Sequence, residues 1–228
     1  MEMTGNGYGN GNGNGSGYGN GSGSGYGNGS GYGYGNGNGS ERPIIFNGAM
    51  SLAVIEGRKT MTRRPFPLKH QAHSGGVAYD QWSGIAELVA DGSVKRFKMP
   101  CVVGDKLWVR ECWRAVWSGF EYRCDGARYP RMLTASQVAK WGHWQEKLAG
   151  GKWAPSIHMP RWASRTVLDV LDVRVERLQD ITDEGARAEG FASRVAFIET
   201  WDAIYPSMPF HADPWVWRIE FKGAGSLQ

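Results

Sequence analysis

The sequence is poor in cysteine: Cys101, Cys112 and Cys124 are its only three, and none forms a CxxC pair. An odd, scattered set of this kind argues against a disulfide framework and against a zinc ribbon, and it fits a reducing compartment. Long apolar runs are also missing. No stretch approaches the ~20 residues needed to span a bilayer, and the N-terminus has no apolar signal core. These absences predict a cytoplasmic protein with no membrane partner.

The first forty residues lack tryptophan, apolar bulk and, apart from Glu2, charge. From Gly5 to Gly39 glycine fills every odd position, with Asn, Ser or Tyr between; the stretch holds 18 of the 34 glycines and none of the 11 tryptophans. Such a segment has almost nothing to bury against the entropy of ordering it. Residues 1–40 are therefore expected to be a flexible low-complexity tail. Its tyrosines, Tyr8, Tyr18, Tyr26, Tyr32 and Tyr34, can act as weak stickers between chains or against bases. Residues 41–228 are then one domain by size. They carry 26 basic and 21 acidic residues, a net of +5, which permits a nucleic-acid or nucleotide partner without demanding one.

Along this body, residues 42–47 read as a short buried strand. Residues 49–56 read as a helix, with Met50, Ala53 and Val54 at helical spacing and Gly57 as its cap. A strand follows over 60–66 and is stopped by Pro65 and Pro67. Residues 67–100 read as a surface insertion with a hairpin at Asp91-Gly92. His70 and His73 have a spacing seen in metal sites, but no cysteine or acidic ligand set accompanies them, so no metal is expected. Residues 106–113 alternate like a strand, with Arg110 and Glu111 on opposite faces. Residues 117–156 read as a second insertion, rich in aromatics and cations (Trp117, Tyr122, Arg123, Arg128, Tyr129, Arg131, Trp141, Trp144, Trp153). That mix builds either a base-stacking platform or, more commonly, a satellite core. A helix is expected over 134–148.

Residues 156–162 bring His158, Arg161 and Trp162 together ahead of a strand. An imidazole, a guanidinium and an indole can line a substrate pocket; a histidine beside a proline serves structure as readily. Residues 165–178 form a long strand whose near-continuous apolar half points to burial on both faces, as in a small barrel. Thr182 is the expected N-cap of a helix ending at Glu189 and Gly190. A carboxylate at a helix C-terminus opposes the helix dipole, and local conflicts of that sort often mark function. Residues 193–204 read as a helix with Val195, Ile198, Trp201 and Ala203 toward the core. Residues 215–221 read as a closing strand with Trp215, Trp217, Ile219 and Phe221 on one side. This order predicts an α+β, mainly β fold: a small β-barrel decorated by short helices.

The most concentrated chemistry lies in Gly57-Arg58-Lys59-Thr60-Met61-Thr62-Arg63-Arg64, where four cations and two hydroxyls occupy eight residues. The cluster can hold an anion, and it sets a possible amine base beside a possible alcohol nucleophile. Alternation along a strand puts Thr60, Thr62 and Arg64 on one face, so Lys59 must reach any site from the preceding turn. Each residue also has a plainer role. Lys59 suits a helix end, Thr62 suits a strand, and Glu189 suits an ion pair.

Together with Gly104-Asp105-Lys106-Leu107-Trp108-Val109, Ile181-Thr182-Asp183-Glu184 with Glu189, and the strand from Trp215 to Phe221, this motif resembles the ASCH domain. That family is PUA-like, a small β-barrel tied to RNA and modified-nucleoside chemistry. With the segment from Ser156 to Trp162 and Asp213-Pro214-Trp215-Val216-Trp217, the chain is similar to ASCH proteins encoded by bacteriophages and prophages. The resemblance covers about Arg42 to Lys222 apart from the two insertions, and the tail has no counterpart. Small bacterial members are amidohydrolases that deacetylate N4-acetylcytidine, and their lysine, threonine and glutamate match Lys59, Thr62 and Glu189 here. Other members are proposed RNA binders or ribonucleases.

The resemblance implies a hydrolase needing neither metal nor cofactor. Lys59 would be the base, Thr62 the nucleophile and Glu189 the acid. Burial and neighbouring cations favour a neutral lysine, and a partly apolar site favours a protonated glutamate. Arg64 would stabilise an oxyanion or hold a phosphate. Arg58, Arg63, Arg110, His158, Arg161 and Trp162 complete the expected substrate contacts. The partner would be RNA or a nucleoside or nucleotide ligand. The alternatives are a non-catalytic reader of RNA or modified bases and an accessory protein whose tail tethers partners.

Overall fold

The computed structural model describes residues 39–66, 77–80, 84–90, 93–116, 119–130, 142 and 152–226. Of the expected tail, only Gly39 and Ser40 are among them. His70, His73, Asp91, Gly92, Trp117, Arg131, Trp141, Trp144 and, except for Gly142, the helix expected over 134–148 lie outside the described residues.

The elements are β1 (Glu41–Ile45), α1 (Gly48–Ile55), β2 (Met61–Pro65), β3 (Val77–Asp80), β4 (Ile85–Ala90), β5 (Ser93–Lys98), β6 (Lys106–Arg110), β7 (Trp113–Val116), β8 (Gly119–Tyr122), β9 (Arg128–Pro130), β10 (Thr166–Arg177), α2 (Asp183–Ala188), α3 (Arg194–Ile204) and β11 (Trp215–Ser226). The main sheet has the order β1-β6-β10-β11-β2. β1 and β6 run parallel, and the other pairings are antiparallel. Asp105 fixes the start of the parallel pair. Its carboxylate accepts from the Ser40 amide and hydroxyl (2.9 and 2.8 Å), the Val102 amide (3.1 Å) and Arg42 Nε (3.2 Å). Glu41 is thereby held opposite Lys106.

Alternation along β11 sends Trp217, Ile219 and Phe221 into one core with Leu168, Val170 and Val173 of β10, Leu107 and Val109 of β6, and Ile44, Phe46 and Phe66. The first insertion contributes to this core. β3, β4 and β5 form their own sheet, and Ala86, Phe97 and Met99 pack with the main-sheet residues. The Phe97 ring lies 5.3 Å from Phe66 and 5.8 Å from Trp217. Ala90 pairs with Ser93 across the position of the expected hairpin. β7, β8 and β9 form a further sheet, with β8 and β9 in the second insertion and β7 just ahead of it; Trp113 of β7 and Phe120 and Tyr122 of β8 form a satellite core with Ala154, Met159 and Ala163. A third cluster, Leu178, Ile181, Ala186, Phe197, Trp201 and Val216, seats α2 and α3.

The structure differs from the sequence-based expectation in several places. The main sheet is not closed into a barrel: β1 and β2 are its two edges and share no ladder. A side chain spans them instead, with Arg64 Nη2 donating to Ile45 O at 2.5 Å. The strand expected over 106–113 breaks into β6 and β7, because Glu111 between them turns into the interior to meet Arg165. Leu171 is 48 % exposed at a register shift between Val170 and Asp172, so β10 is not apolar on both faces throughout. On α3 the buried face is Phe197 and Trp201, one turn apart, whereas Val195 and Ala203 are exposed. Each sits two residues from a buried position, about 200° around the helix. No helix among the described residues is long and apolar enough to cross a membrane.

Candidate functional site

The site begins where α1 stops. Asn47 caps its start, accepting from the Met50 amide at 2.9 Å. Gly57, with φ +73°, takes the left-handed position just past its end. The amides of Arg58 and Lys59 then both return to Ala53 O at 2.9 Å. This fold-back sets Lys59 against the end of α2, where Lys59 and Glu189 form an isolated antiparallel bridge. The end of α2 is prepared in the same way. Thr182 caps its start, accepting from the Gly185 amide at 3.0 Å. Gly190 follows Glu189 with φ +89°. A Cβ on Gly190 would stand 3.0 Å from Ala53 Cβ and 3.2 Å from Lys59 Cβ, so conformation and contact both call for glycine.

Lys59 Nζ donates to Glu189 Oε2 at 2.6 Å and to Glu189 O at 2.9 Å. The residues are 4 % and 3 % exposed. The conflict noted in the sequence, a carboxylate at a helix C-terminus, is therefore offset by an ammonium that also takes the helix-end carbonyl. Burial lowers the Lys59 pKa below its ordinary value. The Glu189 carboxyl pulls the other way, and the Arg64 and Arg63 cations add to the lowering. The other Glu189 oxygen, Oε1, accepts from Arg63 Nη1 at 3.4 Å. Arg63 Nε donates to Glu176 Oε1 at 2.7 Å.

Thr62 is 3 % exposed and lies opposite Ile219 in the β2–β11 ladder. Strand alternation puts it on the same face as Arg64. The Arg64 guanidinium lies 5.4 Å from the Phe46 ring centroid, and Lys59 Nζ lies 5.3 Å from that centroid. Phe46 is thus flanked by two of the expected site cations, at the end of β1 where Arg64 holds the Ile45 carbonyl. Arg110 stands opposite Ile45 in the parallel ladder. It donates to Ile157 O at 3.2 Å and lies over the Trp108 ring.

The remaining expected contacts are spread out. Arg58 is exposed, pairing with Glu56 and reaching Gly190 O at 3.4 Å. His158 is exposed in a 3-10 turn. Arg161 is bidentate to Glu41, at 2.7 and 3.0 Å. Glu41 begins β1 and Ile45 ends it, on the order of 13 Å apart along the strand. Trp162 packs on the satellite core, 5.4 Å from the Phe120 ring and 6.5 Å from Trp113.

Two sets of residues escaped the sequence analysis. Phe46 and Glu176 belong to the surroundings of Lys59 and Arg63, and their roles depend on strand register alone. The second set is a buried charge network. Arg165 Nε and Nη2 donate to Glu111 at 2.9 and 2.8 Å, and Nη1 donates to Asp125 at 2.8 Å. The guanidinium stacks 4.1 Å from the Tyr122 ring. Burial opposes the Arg165 charge, but its bonds to Glu111 and Asp125 outweigh that and hold its pKa above the ordinary value. Cys124 donates to Glu111 at 3.1 Å. Its thiol is pushed up to about 12, by burial first and then by Glu111. Among the described residues no three His, Cys, Asp or Glu side chains gather as a metal site.

No family model matches the chain, and no curated protein matches it. Among solved structures it is similar to protein EF3133 from Enterococcus faecalis V583, of the DUF984 family. The identity is 12 % over 81 % of this chain and 80 % of that one, with a TM-score of 0.38.

Proposed function

We propose that the protein is an amidohydrolase acting on acylated bases of nucleosides or RNA, with N4-acetylcytidine as the probe substrate. The observation that carries this reading is the buried contact of the Lys59 amine with Glu189, 2.6 Å apart, its carboxyl also held by Arg63 on the strand that bears Thr62. In the proposed reaction Thr62 Oγ attacks the acetyl carbon and passes its proton to the Lys59 amine. The carbon–nitrogen bond then breaks. The Lys59–Glu189 pair returns a proton to the departing nitrogen, leaving acetyl-threonine and the free base. Water hydrolyses that ester, releasing acetate and restoring Thr62. The lowered Lys59 pKa supports its role as the base. Incubation with N4-acetylcytidine should release cytidine and acetate, and Lys59→Ala should abolish that release. Equal rates for Lys59→Ala and wild type would refute the assignment.

A second reading, RNA or modified-base binding without chemistry, is favoured by two cations each set beside an aromatic ring, Arg64 at Phe46 and Arg110 at Trp108. It predicts binding to single-stranded RNA that weakens steeply with salt and no release of acetate.

A further inference from the structure

Arg63 belongs to the basic motif, yet its guanidinium is packed inside the protein, the residue being 6 % exposed. Nε donates to Glu176, and Nη1 faces both Glu189 Oε1 and Met61 Sδ at 3.4 Å. On the Nη2 side stands α2, where a Cβ on Gly185 would lie 3.3 Å away. Glycine at that position leaves room for the guanidinium. Behind Glu176 stands Arg218, 3.7 Å from its second oxygen and itself paired with Glu220. The charges alternate from Glu189 outward, and side-chain exposure rises from 4 % at Arg63 through 16 % at Glu176 and 20 % at Arg218 to 32 % at Glu220. A buried carboxylate is thus tied through three strands to solvent.

We propose that Arg63 is a positioning residue of the Lys59–Glu189 site: seated between Glu176 and Glu189, it divides the Glu189 carboxyl between two cations and denies Lys59 sole possession of it. The inference rests on the reading of Lys59 and Glu189 as the reacting pair. A guanidinium does not give up its proton, so Arg63 relays nothing and acts through geometry and field. The charged groups facing the Lys59 amine are Glu189 at the end of α2 and Arg63 and Arg64 on β2. On the side of β1 it meets the Phe46 ring, and α1 presents the Ala53 carbonyl to the Lys59 backbone. Without Arg63, a repelling cation is lost and Glu189 Oε1 is released, and both changes make Lys59 hold its proton more firmly. Making Glu176 neutral does the reverse. Arg63 then serves Glu189 alone and draws it from Lys59, and one nearby negative charge disappears.

The test is a titration of the Lys59 side chain by carbon-13 lysine NMR, assigned with Lys59→Met, in full-length wild type, Arg63→Met and Glu176→Gln. The Lys59 midpoint should rise by about one unit in Arg63→Met and fall in Glu176→Gln, because one unit corresponds to a ten-fold change in free amine. The acid limb of kcat/KM for N4-acetylcytidine should move with it in each variant. At neutral pH kcat in Arg63→Met should drop about ten-fold, with KM changed less than about two-fold. A purely structural role would leave both midpoints in place or move them the same way, and either result overturns the proposal. Glu176 is partly solvated, so its variant decides the question even where Arg63→Met does not fold. Opposite midpoint shifts in a protein that releases no acetate would uphold the positioning of Glu189 and overturn the amidohydrolase reading.

Discussion

Replacing Arg165 by Met should be among the most destabilising single changes in the domain. Arg165 makes two bonds to Glu111 and one to Asp125. Asp125 has a side chain 21 % exposed, so water can take over its lost bond. Glu111 has a side chain only 1 % exposed and, among the described residues, would keep the weak Cys124 thiol donor. Charge-assisted bonds are worth roughly 1.5–3 kcal/mol each, and removing one partner of a buried pair costs about 3–5 kcal/mol. The cost should fall in that second range and lower Tm by about 6–20 °C for a domain of this size. Combining Arg165→Met with Glu111→Leu removes both charges and should recover most of the loss. Urea denaturation measures the loss and its recovery, and thermal unfolding measures the Tm. A loss below about 1 kcal/mol, or no recovery in the double variant, would refute the argument that this network is held by charge.

Gly190→Ala should cost about 1–3 kcal/mol, from the positive φ and the crowding against Ala53 and Lys59; chemical denaturation reads it directly. Cys101 and Cys124 have thiols pushed up to about 12 by burial and should resist iodoacetamide in the native protein at pH 8, as mapped by mass spectrometry. Because those two groups bind protons more tightly folded than unfolded, their contribution to stability should be intact below about 9 and decline from about 9 to 12. The thiols' share is measured as the wild-type loss over that window minus the loss in a Cys101→Ala, Cys124→Ala variant. On α3, Trp201→Ala should cost about 3–5 kcal/mol, whereas Val195→Ala, at a residue 63 % exposed, should cost under about 0.5 kcal/mol; matching losses would contradict the observed helix face.

What the sequence determined by itself was local. Thr182 as an N-cap, Gly57 and Gly190 past helix ends, and the alternation of Trp217, Ile219 and Phe221 follow from dihedral preferences and side-chain period, which act over a few residues. The resemblance put Lys59 and Glu189 in one expected site, and the helix-end carboxylate marked Glu189 as out of place without naming its partner. Tertiary structure alone decided the partners of the charges. Lys59 and Glu189 are 130 residues apart and Arg63 and Glu176 are 113 apart, and strand register selects which arginine meets which acid. The same holds for Arg165 and Glu111, which no pattern in the chain links. It holds also for the open sheet, whose edges are bridged by Arg64 rather than by backbone. Apolar periodicity says which face of a strand is buried but not whether its sheet closes, because closure depends on how the edge strands are placed against one another.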